Sequence, residues 1–234
     1  MNPKIPVIIA CYNYARYLPE AVESVIRQTC QDFEIIIVND GSTDNSREVG
    51  EALIRKYPKH QISLMNQPNK GLATARNVGI KNSKGDYILP LDADDKLDPT
   101  ALQKMSRLLD TSPSVCIAYS WIRRFGDSNE VVRFQEYSFG ALKRFGMFIN
   151  CSSMFRRHSW EVCGGYNPNM RWGWEDYEFW LNCGKHGFYG RLIPESLVTV
   201  RTHERQMTTK ITRKHLGELI AQVKKNHPEL YPKG

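Results

Sequence analysis

The chain has 234 residues, of which 41% are hydrophobic and 24% charged, and this globular balance excludes a wholly disordered chain. The formal net charge of +7 is spread over short clusters. This pattern is typical of a solvated surface, or of one that faces anionic lipid or a phosphorylated acceptor. It favours nucleic-acid binding less, because no nucleic-acid motif accompanies the charge. No apolar run approaches the roughly 18 residues of a membrane span, and the polar start is too short for a signal peptide. We therefore expect a cytoplasmic protein, with peripheral contact at the inner face of an anionic membrane as an alternative.

Strand and helix patterns alternate over the first half of the chain. Short apolar runs predict buried strands at 7–10, 34–38, 62–65 and 87–89. Apolar residues at helical spacing predict helices at 18–26, about 44–57 and 71–81, and Pro99 opens a further helix. This βαβαβαβ order predicts an α/β fold with a doubly wound, mostly parallel sheet and right-handed crossovers.

The second half of the chain has a less regular pattern. We predict strands at 115–120, 130–135 and 196–200, and helices at 174–185 and 212–226. Residues 138–150 mix glycine and aromatic residues without a period. Because the chain shows no repeat or flexible linker, we expect one domain over 1–234. It consists of three parts: a first half at about 1–98, a second half at about 99–210, and a C-terminal amphipathic helix at 211–234.

Carboxylates cluster where the predicted parallel strands end. Asp40 follows the second strand, and Asp92, Asp94 and Asp95 follow the fourth. In open α/β sheets, ligands bind beyond these strand ends, and clustered carboxylates repel one another unless a cation or donor groups offset their charge. Asp92 and Asp94 project to the same side of an extended chain, so together they can address a hard divalent ion and a sugar hydroxyl. On its own, this pair is equally consistent with a solvated turn.

Several common catalytic and phosphate-binding motifs are missing from the chain. There is no GxGxxG after the first strand and no GxxxxGK[ST], which argues against dinucleotide oxidoreductases and P-loop proteins. The absence of HExxH and GxSxG argues against zincins and serine hydrolases. Six cysteines occur without a CxxC pair, so we expect reduced thiols and neither a zinc ribbon nor a thioredoxin-like site.

Seven segments, in this order and at this spacing, carry a specific family resemblance. They are 7–13, 17–29, 33–44 with NDGSTD, 69–79 with NKGLATARN, 92–95 with DADD, 164–166 with GGY, and 174–177 with WEDY. Together they resemble the inverting family 2 glycosyltransferases with a GT-A fold, over about residues 5–205. Ala10 and Asn39 depart from the family pattern, in which proline and aspartate are frequent there, but neither carries a predicted role.

The resemblance implies a UDP-sugar donor and assigns four residues to it. Asp40 matches the family acid that accepts a hydrogen bond from the uracil imide. Tyr12 is expected to stack on or border the base, although a packing aromatic is an equal alternative. Arg76 matches a basic residue near the nucleotide and diphosphate, and Asp92 is expected to meet the ribose.

The resemblance also implies a divalent cation, Mn²⁺ or Mg²⁺, that bridges the diphosphate. Asp94 matches its carboxylate ligand. His203 matches a C-terminal histidine that ligates the metal or touches the diphosphate in some relatives, and imidazole suits Mn²⁺ better than Mg²⁺. The alternative for His203 is an exposed or hydrogen-bonded core histidine.

The acceptor side of the expected site comes from the WEDY segment and the residues before it. Asp176 matches the family's general base, which takes the proton from the acceptor hydroxyl. Glu175, beside it, is assigned to the acceptor site as well. Trp172 and Trp174 are expected to stack on the acceptor sugar, unless they are core aromatics.

The implied function is the transfer of a hexosyl or N-acetylhexosaminyl group from a UDP-sugar to a carbohydrate or lipid-linked carbohydrate acceptor. Polysaccharide, lipopolysaccharide or another glycoconjugate is the expected product, with inversion at the anomeric carbon. A glycoside hydrolase, or a non-catalytic nucleotide-sugar-binding module on the same fold, is the alternative. The presence of Asp176 favours the transferase.

Overall fold

Four parallel strands form one half of the central sheet, in agreement with the sequence pattern. The computed structural model of the chain describes residues 4–203 and 212–232. The strands are β1 (Ile5–Cys11), β2 (Phe33–Asp40), β3 (Ile62–Gln67) and β4 (Tyr87–Asp92). The helices between them are α1 (Leu18–Ile26), α2 (Ser46–Lys56) and α3 (Leu72–Lys81). The predicted βαβαβαβ order is therefore confirmed.

The second half of the described chain extends the same sheet with mixed strand directions. Its strands are β5 (Lys96–Leu97), β6 (Val115–Gly126), β7 (Val131–Val132), β8 (Met154–Arg156) and β9 (Tyr189–Thr202). Its helices are α4 (Ala101–Thr111), α5 (Phe139–Lys143), α6 (Arg157–Cys163), α7 (Glu175–Lys185) and α8 (Leu216–Asn226). The strand order is β3-β2-β1-β4-β8-β6-β9-β5, with β7 paired to β6. Because β8 runs antiparallel to both β4 and β6, it joins the parallel half to the rest of the sheet.

The sheet separates two hydrophobic cores, and alternate residues of each strand enter opposite ones. In β1, Val7 and Ile9 pack in the core beneath α1 and α4, whereas Ile8 packs in the core beneath α3 and α7. All three are fully buried. A strand that is buried on both faces reads as a continuous apolar run, which explains why the sequence pattern identifies β1, β2 and β4.

The second half differs from the sequence prediction in several elements, and neither β5 nor α5 was predicted. The strand expected at 130–135 shortens to β7, and β8 and α6 were not predicted. β9 starts at Tyr189, well before the expected 196–200, and its pairing with β6 shifts register at three points, one of them between Ser120 and Trp121. Around this shift, the residues of β9 lose the regular alternation of apolar and polar side chains by which strands are identified in a sequence.

The helices of the described residues are short, and the longest, α2, α4, α7 and α8, have 11 residues each. None of the described helices is long and apolar enough to cross a membrane.

The close approach of α3 to the sheet generates a stability prediction. A Cβ atom on Gly79 would lie 2.4 Å from Ile8 Cγ2, whereas a Cβ on Gly217 of α8 would meet nothing within 4 Å. We expect Gly79→Ala to lower the free energy of unfolding by about 1–3 kcal/mol through overpacking. Gly217→Ala, the matched control, should raise it by about 0.4–1 kcal/mol because the unfolded chain loses freedom. Urea unfolding of both variants measures this difference, and equal effects would contradict the packing argument.

Candidate functional site

The carboxyl ends of β1, β2 and β4 meet at one edge of the sheet, where the sequence predicts the site. These three strands are neighbours and parallel. Tyr12 follows β1 and is 47% exposed, whereas Asp40 at the end of β2 is buried. Asp92 ends β4, and the buried Asp94 and Asp95 follow it. The topology thus places together the strand-end residues that the sequence singles out.

Asn13 holds the loops after β1 and β2 together, a role that sequence reasoning missed. Its backbone adopts a positive φ of 57°, which asparagine tolerates better than most residues. Its side-chain Oδ1 accepts hydrogen bonds from the main-chain N–H groups of Thr43 at 2.7 Å and Asp44 at 3.3 Å. Its own N–H donates to Ser42 Oγ at 3.0 Å. Its position directly after β1 is the signal that could identify it, although the resemblance assigns a role only to the neighbouring Tyr12.

Asp40 is held by three hydrogen bonds. Its Oδ1 accepts from Gln67 Nε2 at 2.7 Å and from the N–H of Lys70 at 2.8 Å, and its Oδ2 accepts from the N–H of Gly71 at 2.9 Å. An ionised carboxylate offers about four acceptor positions, so a position on Oδ2 is left for a further donor. Gln67 ends β3, a strand whose end carries no role in the sequence prediction.

The structure brings Asp94 and His203 into direct contact. His203 Nε2 lies 3.0 Å from Asp94 Oδ2. Burial, and next the charge of Asp92, raise the pKa of the Asp94 carboxyl above its ordinary value, while the hydrogen bond to His203 opposes this shift. The end of β9 fixes the same segment, because the main-chain N–H of Arg201 donates to Asp95 Oδ1 at 2.9 Å. The carboxylates after β4 therefore form a site in which a cation would relieve repulsion.

Cys151 approaches the strand-end carboxylates from the second half of the chain, which the sequence did not predict. Its Sγ donates to Asp92 Oδ2 at 3.3 Å. Ligand atoms of Asp92, Asp95 and Cys151 lie within 4.8 Å of one another, so these three groups could also surround an ion. Residues 138–153 lack a pattern that could have placed this thiol, because its position depends on β8 pairing with β4.

Arg76 is buried between two carboxylates. It is 1% exposed, and its Nη1 donates to Glu175 Oε1 at 2.5 Å while its Nη2 donates to Asp92 Oδ1 at 2.7 Å. The expected contact of Arg76 with the diphosphate therefore stays a prediction, whereas its link between β4 and α7 is present in the structure. Glu175, expected in the acceptor site, is likewise buried and takes part in this ion pair.

Asp176 lies in the first turn of α7, next to Glu175 and half-buried. Its Oδ1 accepts a hydrogen bond from the N–H of Tyr177 at 2.8 Å. Burial raises the pKa of the Asp176 carboxyl; the Arg76 guanidinium opposes the shift, and the charge of Asp92 adds to it. A carboxylate with a raised pKa is a stronger base, and the position in the first turn of a helix favours its ionised form.

The two tryptophans before α7 have different surroundings. Trp172 is 39% exposed, and its ring stacks on His215 with centroids 4.2 Å apart and planes 10° apart. Trp174 is half-buried and packs against Phe145 and Tyr177. Trp174 thus belongs largely to the core, and Trp172 is the one that offers an exposed ring.

The Arg76 link generates a prediction about stability. In Arg76→Met, Glu175 would be left buried without its cation, so we expect the free energy of unfolding to fall by about 3–5 kcal/mol. Arg27→Met is the matched control, since Arg27 is exposed and its ion pair with Glu23 spans 3.5 Å. That variant should change stability by less than about 1 kcal/mol. Chemical denaturation of both variants measures the difference, and similar small losses would show that the buried pair is energetically unimportant.

Comparison with known proteins gives a consistent family assignment. A model of glycosyl transferase family 2 matches residues 7–170. The chondroitin synthase of Pasteurella multocida is 30% identical over 194 residues, which cover 81% of this chain and 20% of that protein. An uncharacterized glycosyltransferase of Haemophilus influenzae is 26% identical over an alignment of 248 positions, which covers 98% of this chain and 74% of that protein. The chain spans about a fifth of the length of the Pasteurella relatives that it matches.

Solved structures share the fold at low sequence identity. S. aureus TarS 1-349 in complex with UDP-GlcNAc has a TM-score of 0.76 at 18% identity, covering 94% of this chain and 65% of that one. The mannosyltransferase PcManGT from Pyrobaculum calidifontis, in complex with GDP-Man and Mn²⁺, has a TM-score of 0.74 at 18% identity, covering 99% and 70%. These likenesses confirm the predicted GT-A fold. The chain belongs to glycosyl transferase family 2.

Proposed function

We propose that this chain transfers a sugar from a UDP-sugar to an acceptor hydroxyl with inversion at the anomeric carbon. The observation that carries the proposal is that one buried guanidinium joins the donor-side Asp92 to the start of α7, which bears Asp176. Two carboxylates with different tasks are thereby held at fixed positions: Asp92 in the donor motif, and Asp176 on the acceptor side. A binding module would have no use for the second carboxylate.

The donor site in this proposal lies at the ends of β1 and β2. The remaining acceptor position on Asp40 Oδ2 suits the N3–H donor of uracil. The exposed Tyr12, which follows the neighbouring strand β1, suits the base. Because TarS was solved in complex with UDP-GlcNAc and PcManGT with GDP-Man, nucleotide sugars are the ligands of these structural neighbours. The choice of UDP rests on Asp40.

The residues after β4 fit a divalent cation. Asp94 Oδ2 and His203 Nε2 lie 3.0 Å apart, and carboxylate with imidazole is a donor set that favours Mn²⁺ over Mg²⁺. Burial, and next the charges of the neighbouring aspartates, raise the pKa values of Asp94 and Asp95, and a bound cation would offset both effects. When bound, the cation supplies electrostatic stabilisation to the departing diphosphate.

Asp176 acts on the acceptor in this proposal. Its carboxylate takes the proton of the acceptor hydroxyl as that oxygen bonds to the anomeric carbon and the bond from this carbon to the diphosphate breaks. One displacement without a covalent sugar–enzyme intermediate inverts the configuration. The acceptor is a carbohydrate or a lipid-linked carbohydrate, in the synthesis of a polysaccharide or another glycoconjugate, as the names of the Pasteurella synthases support.

The cation assignment predicts the behaviour of one aspartate. Asp94→Ala should abolish the Mn²⁺-dependent part of UDP binding in titration calorimetry, because a carboxylate ligand is lost. Asp86→Ala is the matched control: this exposed acid precedes β4 at the opposite end of the strand and should bind UDP like the wild type. Unchanged Mn²⁺ dependence in Asp94→Ala would overturn the assignment, and tighter binding of GDP than UDP by the wild type would overturn the choice of uracil.

The base assignment predicts a separation of binding from turnover. Asp176→Asn keeps the shape of the side chain but cannot take a proton, so transfer should fall by about 10²–10⁴-fold. Affinity for UDP with Mn²⁺ should stay near that of the wild type. Turnover assays and calorimetry on this variant measure both quantities. If transfer persists, or if UDP affinity falls as far as in Asp94→Ala, another residue is the base.

A further inference from the structure

A groove with a volume of about 250 Å³ lies between the segment that leads into α7 and the C-terminal helix α8. Its lining consists of one exposed tryptophan, one buried leucine and four side chains with amide, carboxylate or guanidinium groups. These residues are Asn169, Arg171, Trp172, Glu218, Leu219 and Gln222. The groove is separate from the strand ends to which the donor is assigned.

Trp172 supplies a fixed flat surface in this groove. His215 stacks on one face of the indole with ring planes 10° apart, and Trp172 is nevertheless 39% exposed. The segment is anchored as well, because Thr212 Oγ1 donates to the main-chain oxygen of Trp172 at 2.9 Å. A ring that is already immobilised loses little freedom when a ligand stacks on it.

The groove chemistry matches a sugar better than the other ligands of a glycosyltransferase. The C–H groups on one face of a pyranose ring complement the electron-rich face of an indole, and the hydroxyls at its edge can pair with amide, carboxylate and guanidinium groups. Asn169, Arg171, Glu218 and Gln222 provide such groups around Trp172. An acyl chain would find only two apolar side chains, Trp172 and Leu219, and Leu219 is 1% exposed.

The position of the groove relates it to the predicted base. Trp172 precedes Asp176 by four residues, and a chain of that length spans at most about 14 Å. A sugar on Trp172 and an acceptor hydroxyl at Asp176 are therefore close enough to belong to one short glycan. We propose that this groove is a second carbohydrate subsite, which binds an inner sugar unit of an oligosaccharide acceptor whose end is extended at Asp176. The inference rests on the proposed function and narrows its acceptor class to an oligosaccharide.

The test is direct binding of defined glycans to the whole chain. Hyaluronan, chondroitin and cellulose tetrasaccharides serve as probes in titrations up to millimolar concentrations, because the first two are products named for relatives and the third is neutral. We expect at least one of them to bind. Trp172→Ala should weaken that binding by about tenfold or more through loss of stacking.

A second variant and a control make the test independent of misfolding. Asn169→Ala, at an exposed position, should weaken the same tetrasaccharide by about threefold or more through a lost hydrogen bond. Tyr189→Ala removes another exposed aromatic ring, on β9 and outside the groove lining, and should bind like the wild type. Absence of binding to all three tetrasaccharides, or equal affinities of the wild type and both groove variants, would overturn the subsite.

Titration of UDP with Mn²⁺ on the same wild-type protein separates this inference from the proposed function. If UDP binds but no tetrasaccharide does, the subsite is wrong and the proposed donor site stands. If a tetrasaccharide binds in a Trp172-dependent manner but UDP does not, the groove is a carbohydrate site and the proposed transfer reaction is wrong.

Discussion

The ion pairs of Arg76 connect the two sides of the candidate site. A guanidinium that is 1% exposed has left water, and its partners Asp92 and Glu175 must compensate for that loss. The planar fork of donors requires both carboxylates at defined positions. As a result, the end of β4 and the beginning of α7 cannot move apart without exposing or stranding a buried charge. The placement of Asp176 relative to the donor motif follows from this constraint.

The parallel strands determine what the first half of the chain contributes. Their carboxyl ends bring Tyr12, Asp40 and Asp92 to one edge, and hydrogen bonds hold the loops after β1 and β2 together and fix Asp40. Asn13 joins the loops after β1 and β2, and Gln67 at the end of β3 supports Asp40. The second half then closes the site from the other side through β9, whose end reaches Asp95, and through the helix that carries Asp176.

Sequence reasoning was most successful where burial leaves a pattern. β1, β2 and β4 are buried on both faces, so their apolar runs were readable, and the strand-end rule then indicated where the site lies. β8 has three residues, too few for any period, and its partner strands could not be deduced locally. The neighbours of Arg76 lie 16 and 99 residues away in the sequence, so its burial between two acids depends on tertiary structure alone. The same holds for Cys151, which reaches Asp92 only because β8 pairs with β4.

The antiparallel position of β8 has a consequence for the order in which the protein can assemble. Residues 5–92 supply β1 to β4, but the second neighbour of β4 is Met154–Arg156, more than half of the chain away from the first residue of β1. During synthesis from the N-terminus, β4 therefore remains an edge strand until β8 has emerged from the ribosome. The backbone groups at Tyr87 and Ile88, which pair with β8 in the finished fold, are without that partner during that interval. Incorrect strand pairing is therefore most favoured in the interval before the three-residue strand β8 is available.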